Sequence, residues 1–131
     1  MRSVIRQSVV LPATADALFD AYLDPAEHGA ITGAAVAIGT EAGDEFRAFG
    51  GVLTGAMLAV ISPRLIVQSW RSTEFKVDDP DSTLILTFIP ENRQGRIDLV
   101  HLDVPDHDLD GVSKGWEKYY WTPWRQYLEN R

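Results

Sequence analysis

Residues 108–131 read DLDGVSKGWEKYYWTPWRQYLENR, and the spacing of the rings in this stretch decides what kind of fold the rest of the chain must build. On a helical wheel Val112, Trp116, Tyr119, Tyr120, Pro123 and Tyr127 share one side, with Trp124 at its edge. Lys114, Lys118 and Arg125 take the other side, so the segment is an amphipathic helix whose bulky face needs a large apolar surface to cover. Pro123 has no backbone N–H to donate, which predicts a kink or a restart near Thr122. Trp121 and Leu128 fall off the apolar face and leave room for a homodimer contact.

The surface such a helix needs lies upstream. Between Gly33 and Val104 the signals are almost all strand and turn: AAVAI, EFRAF, VLTGAMLAVIS, LIVQSWRST, STLILTFI and RIDLVHLDV. They are separated by GTEAGD, Gly50-Gly51, Ser62-Pro63-Arg64, DDPDS and PENRQG, which carry the Gly, Pro, Asn and Asp that reverse a chain. Short strands with short connections make an antiparallel meander. In STLILTFI both faces are partly apolar, so this strand is expected in the interior of the sheet. The T-G-A-M step within the long strand predicts a bulge or bend that curves the sheet.

Before the meander, RSVIRQSVVL (2–11) reads as an opening strand halted at Pro12. Thr14 is an N-cap candidate ahead of Ala15, Leu18, Phe19 and Tyr22, which share one helical face. Asp24-Pro25-Ala26-Glu27 opens a second short helix, with Pro at its first position. The expected class is α+β: a curved antiparallel sheet of six to seven strands wrapped on a long C-terminal helix, with two short helices after the first strand.

The chain has 131 residues, 45% hydrophobic and 24% charged, which suits one globular domain spanning 1–131. Its net charge of −7 repels phosphate backbones and anionic membrane surfaces, so neither nucleic acid nor membrane is an expected partner. The absence of cysteine removes disulfides, thiolate metal sites and cysteine nucleophiles, and suits a reducing compartment. MRSVIRQSVV contains no apolar run of signal-peptide length and no stretch approaches a membrane span, so a cytoplasmic location is expected.

This order of elements resembles the helix-grip fold of the START-like superfamily, named after birch-pollen allergen and polyketide cyclases. Four segments narrow the resemblance to the activator of heat-shock-protein-90 ATPase homologue-like family. They are LPATADALFDAYLDP (11–25), ISPRLIVQSWR (61–71), ENRQGRIDLVHLDVP (91–105) and GWEKYYWTPWRQYL (115–128). Family members often carry a Trp at the end of the second short helix, where this chain has the small and aliphatic GAITGAAV (29–36). The resemblance implies a deep apolar cavity between sheet and helix, and its name implies a chaperone partner as one alternative.

Motifs for chemistry are sparse. Asp106-His107-Asp108-Leu109-Asp110-Gly111 with Glu117 matches a calcium-loop pattern. A strand and Pro105 precede it where an EF-hand needs a helix, so the acidic residues are read as helix-start residues that complement the dipole. His101 alternates with Ile97 and Leu99 on the last strand. It is a candidate ligand contact or proton carrier if that face lines a cavity, against the commoner reading of a sheet-edge histidine satisfied by backbone or water. His28 and His107 are expected to be exposed. No metal set, cofactor motif or G-x-S-x-G nucleophile elbow is present, so no cofactor and no metal are expected.

The aromatics remain. Phe46, Phe49, Trp70, Phe88, Trp116 and Tyr120, together with His101, are the candidate ligand-binding residues. Core packing is the ordinary role for any one of these rings, but rings meeting across a curved sheet leave gaps that suit small molecules. Tyr119 or Tyr120, with Arg71 or Gln68, are candidates for the polar contact. The expected function is binding of an apolar or aromatic small molecule. A cyclase-, aromatase- or hydrolase-type enzyme using the same cavity is one alternative, and a chaperone-associated ATPase-activator-like module is another.

Overall fold

The computed structural model describes residues 2–131. Seven antiparallel strands form one sheet: β1 (Arg2–Leu11), β2 (Val36–Ala37), β3 (Glu45–Ala48), β4 (Leu53–Ile61), β5 (Leu65–Ser72), β6 (Ser82–Glu91) and β7 (Gln94–Pro105). Their spatial order is β1-β7-β6-β5-β4-β3-β2, so strands 2 to 7 are a plain meander and β1 closes back onto β7. STLILTFI lies in β6, hydrogen-bonded on both sides, as its two partly apolar faces predict.

Alternation decides which face is covered. Ile66, Gln68 and Trp70 on β5, Leu84, Leu86 and Phe88 on β6, and Ile97, Leu99 and His101 on β7 are all buried. The residues between them are half-exposed, so the helices cover only one face.

The bend expected at T-G-A-M is present. Pairing of β4 with β5 shifts by one residue between Met57 and Ala59, leaving a bulge at Leu58. Nearby, a Cβ on Gly55 would stand 2.0 Å from the carbonyl oxygen of Ser69, so only glycine admits this approach of the two strands. Gly95 does the same service for a helix: a Cβ there would meet the backbone nitrogen of Ala15 at 2.8 Å.

Helix α1 (Ala15–Leu23) starts where the side chain of Thr14 accepts from the Ala17 N–H at 3.2 Å. Helix α2 (Pro25–Thr32) starts where Asp24 accepts from the Ala26 N–H at 2.9 Å, and it ends on Gly33 in the left-handed conformation. The face Ala15, Leu18, Phe19 and Tyr22 is buried against the sheet.

The C-terminal helix runs as α3 (Leu109–Trp116), a π-helical turn (Glu117–Trp121) and α4 (Thr122–Glu129). The expected irregularity therefore lies just before Thr122 and takes the form of a wider turn. The carbonyl four residues before Pro123 has no N–H to receive, and the extra residue of a π turn absorbs that loss.

This turn rotates everything beyond it and corrects the wheel. Trp121 is buried, whereas Tyr119 is 47% exposed. Trp121 stacks between Trp116 and Trp124 at centroid distances of 5.7 and 6.4 Å, and its indole N–H donates to Gln7 on β1 at 2.8 Å. It is thus spent on the fold and is not an off-face residue free for a dimer contact. No helix among the described residues is long and apolar enough to cross a membrane.

Candidate functional site

Sheet and helix part company at one end. The C-terminal end of β5 brings Trp70 and Ser72 to face Val112, Trp116 and Tyr120 of the C-terminal helix, and the space between them stays open. It forms a cavity of about 440 Å³, within the range of small-molecule pockets. The β3–β4 connection supplies a second wall through Phe49, Val52 and Leu53, and Glu74, Asp108 and Tyr119 stand at the mouth. Two helix glycines, Gly111 and Gly115, line it on the helix side.

Phe49 reaches this wall through an uncommon backbone. Its φ is 53°, followed by Gly50 at 65° and Gly51 at 94°. A bulky residue in the left-handed region is disfavoured by about 1–2 kcal/mol, and such residues cluster at ligand clamps and switches. The ring lies 5.6 Å from that of Tyr119 and 6.4 Å from that of Tyr120, edge to face in both cases.

Behind the aromatic wall sit two buried polar networks. In the first, the indole N–H of Trp116 donates to His101 Nδ1 at 3.2 Å. His101 Nε2–H then donates to Ser82 Oγ at 2.8 Å, and the Ser82 hydroxyl donates to the Trp70 carbonyl at 2.6 Å. In the second, His28 Nδ1–H donates to the Tyr22 carbonyl at 2.7 Å, and the Tyr120 hydroxyl donates to His28 Nε2 at 2.9 Å. The Tyr22 hydroxyl donates to Gln68 Oε1 at 2.6 Å.

Burial sets the electrostatics of both networks. Desolvation lowers His28 to a pKa of about 4 and His101 to about 3, so both are neutral. It also raises the Tyr120 phenol, and raises Tyr22 with a further push from Tyr120. These tyrosines are hydrogen-bond donors and not anions. At the mouth, the Asp108 pKa is raised, first by desolvation and then by the neighbouring charge of Glu74, with His107 opposing.

Of the sequence candidates, Phe49, Trp70, Trp116 and Tyr120 meet at the cavity. Phe46 and Phe88 lie elsewhere: Phe46 packs beside His28 at 6.3 Å, and Phe88 packs edge to face with Phe19 at 5.5 Å. His101 stands behind the wall, its ring 4.7 Å from that of Trp70 and 5.9 Å from that of Trp116. Both of its nitrogens are already bonded.

Among the polar candidates, Tyr119 reaches the mouth. Gln68 is held by Tyr22, and Arg71 is bonded outside the cavity to the carbonyls of Asp79 and Lys76. His28, expected to be exposed, is 1% exposed. Its spacing from Ile31 on α2 was the available signal, since positions three apart on a helix share a face. Nothing local marked Glu74, and Asp108 stood out only within the calcium pattern.

The residues of that pattern do not converge. Asp106 accepts from Ser3 Oγ at 2.6 Å, Asp110 pairs with Lys114 at 2.9 Å, and Asp108 borders the cavity. No group of three or more His, Asp or Glu residues among those described is placed to hold a metal ion. A second depression of about 560 Å³ lies between β1 and α4, lined largely by polar side chains such as Gln7, Ser8, Thr122 and Arg125.

Known structures share this architecture. An HSP90 activator from Plasmodium falciparum, PFC0360w, superposes with a TM-score of 0.86 at 19% identity, over 96% of both chains. MLL2253 from Mesorhizobium loti gives 0.84 at 16% identity, over 98% of both. CalU16 from Micromonospora echinospora gives 0.75 at 23% identity, over 95% of this chain and 72% of that one. At such identities the likeness speaks for the fold alone. No curated protein is significantly similar in sequence. The family model described as "Activator of Hsp90 ATPase homolog 1-like protein" matches residues 12–129, which takes in every element from α1 to α4. The chain belongs to that family.

Proposed function

We propose that this protein binds an apolar small molecule in the cavity between β5 and the C-terminal helix. The observation that carries the reading is an opening of about 440 Å³ walled by the rings of Phe49, Trp70, Trp116 and Tyr120. A packed domain interior leaves few voids larger than a water molecule, so an opening of this size among aromatic rings suits a ligand. The cysteine-free composition suits a role in a reducing compartment.

The test uses N-phenyl-1-naphthylamine, a neutral apolar fluorophore, and a variant that fills the cavity. A Cβ at Gly115 meets only the Tyr119 ring, at an ordinary 3.6 Å, so the backbone there admits a side chain, and Gly115→Leu adds bulk to the cavity wall. Saturable uptake by the wild-type chain, lost in Gly115→Leu with the melting temperature kept, is the expected result. Equal uptake by both chains, or none by either, refutes the reading.

A second reading, a chaperone-associated module, is favoured by membership of the family described as Activator of Hsp90 ATPase homolog 1-like, matched over residues 12–129. It predicts that the purified chain alters the ATP hydrolysis of an Hsp90-type chaperone, and unchanged hydrolysis rejects it. The enzyme reading has no comparable support, because His101 is bonded to Trp116 and Ser82 behind the wall.

A further inference from the structure

The cavity has a sign as well as a size. The ionisable groups on its walls are the carboxyls of Glu74 and Asp108 and the phenols of Tyr119 and Tyr120, the last kept neutral by burial; no lysine, arginine or histidine lines it. Among the described residues neither carboxylate takes part in an ion pair, whereas Asp16, Asp81, Glu91, Asp98 and Asp110 all do. Acidic side chains alone would be an ordinary hydrated surface. Here they border an apolar space walled by aromatic rings, whose quadrupoles favour a nearby cation over an anion. Two side chains temper this field from outside. Lys118 places Nζ 5.2 Å from the centre of the Tyr119 ring, and His107 Nε2–H donates to the Glu74 backbone carbonyl at 3.1 Å.

Resting on the small-molecule reading above, we propose that the occupant is an apolar molecule carrying one ammonium group. Its body packs among Trp70, Trp116 and Tyr120, and its charge stands at the mouth beside Glu74 and Asp108. An anionic lipid or acid would meet two like charges and no cation on the cavity wall. A cation relieves the repulsion between the two carboxylates and sits beside electron-rich rings as well. The Asp108 pKa is raised chiefly by partial burial, and the unrelieved repulsion from Glu74 adds to it.

Three probes of one shape separate the outcomes: 2-naphthylmethylamine, protonated at neutral pH, 2-naphthylmethanol, and 2-naphthoate. Binding is read from quenching of tryptophan fluorescence. The expected order is ammonium over alcohol by about tenfold, with the carboxylate weakest. In a Glu74→Gln, Asp108→Asn variant the ammonium falls to the level of the alcohol, whose own affinity stays unchanged. Should that variant not fold, salt gives the same answer on the wild-type chain, because screening must erode the ammonium preference alone. An alcohol or carboxylate that binds as tightly as the ammonium, or a preference indifferent to salt, overturns the charge assignment and leaves the cavity reading standing. Failure of all three probes to bind overturns both.

Discussion

The indole N–H of Trp116, on the C-terminal helix, donates to Nδ1 of His101, on β7, at 3.2 Å. This bond joins the two halves of the fold at the back of the cavity. Indole nitrogen is a donor only, so Nδ1 has to be the acceptor and the ring proton has to sit on Nε2. The partners agree, since Ser82 Oγ can accept from Nε2–H while its own proton goes to the Trp70 carbonyl. His28 is held the opposite way, because a backbone carbonyl at Nδ1 can only accept.

The two buried histidines should therefore show opposite tautomers. Long-range proton–nitrogen correlation NMR at neutral pH is expected to find His101 protonated on Nε2 and His28 on Nδ1. The same tautomer at both sites would refute the hydrogen-bond directions assigned here.

Replacing Trp116 by Phe keeps most of the ring but strands the His101 nitrogen without a donor. The cost of a buried unsatisfied acceptor is about 1–3 kcal/mol, read from urea unfolding. In a His101→Leu background no acceptor is left to strand. The same Trp116→Phe change should then cost less, by about 0.5–3 kcal/mol of coupling. Strict additivity in this double-mutant cycle would show the bond contributes nothing.

Acid should destabilise the protein earlier than its carboxylates alone would. The folded pKa values are lowered to about 4 for His28 and about 3 for His101, against an ordinary 6.5. In the unfolded chain both rings take up protons as the pH falls through 6.5, while in the folded chain neither does until about 4. The stability that these neutral rings contribute is thus complete above the ordinary value and lost as the pH falls below it. Each uncompensated proton costs about 1.4 kcal/mol per pH unit. Melting temperature should hold steady above neutrality with respect to these groups and fall steadily from pH 6.5 toward 4. A curve flat between pH 7 and pH 5 would contradict the burial of both rings.

Phe49 allows strain to be weighed against contact. Phe49→Ala and Phe49→Gly both lose the ring, but only glycine adopts a φ of 53° freely. The glycine variant should be the more stable of the two by about 1 kcal/mol in chemical denaturation. The reverse order, with alanine ahead, would mean that the backbone relaxes out of the left-handed region.

Much of this architecture was open to reading residue by residue, because its causes are local. Thr14 and Asp24 cap helices through their own next turn, Leu84, Leu86 and Phe88 alternate because a strand has a period of two, and Pro123 breaks a helix by lacking a proton. The Gly50-Gly51 step marks a sharp reversal for the same kind of reason. All four tryptophans were visible as a concentration at Trp70 and along the last helix.

What only the tertiary structure decided are the features that depend on where separate elements end up. The π turn shifts the helix by one residue, which buries Trp121 and exposes Tyr119. A wheel drawn at constant pitch assigns those two the other way round. His28 is buried because α2 lies under the rings of Tyr22 and Tyr120, brought there from opposite ends of the chain. The cavity is the sharpest case: any of the seven candidates had the chemistry to line it. Packing consumed Phe46 and Phe88 and put His101 behind the wall, so the opening lies where sheet and helix diverge, beside a Glu74 and an Asp108 that no local pattern had joined.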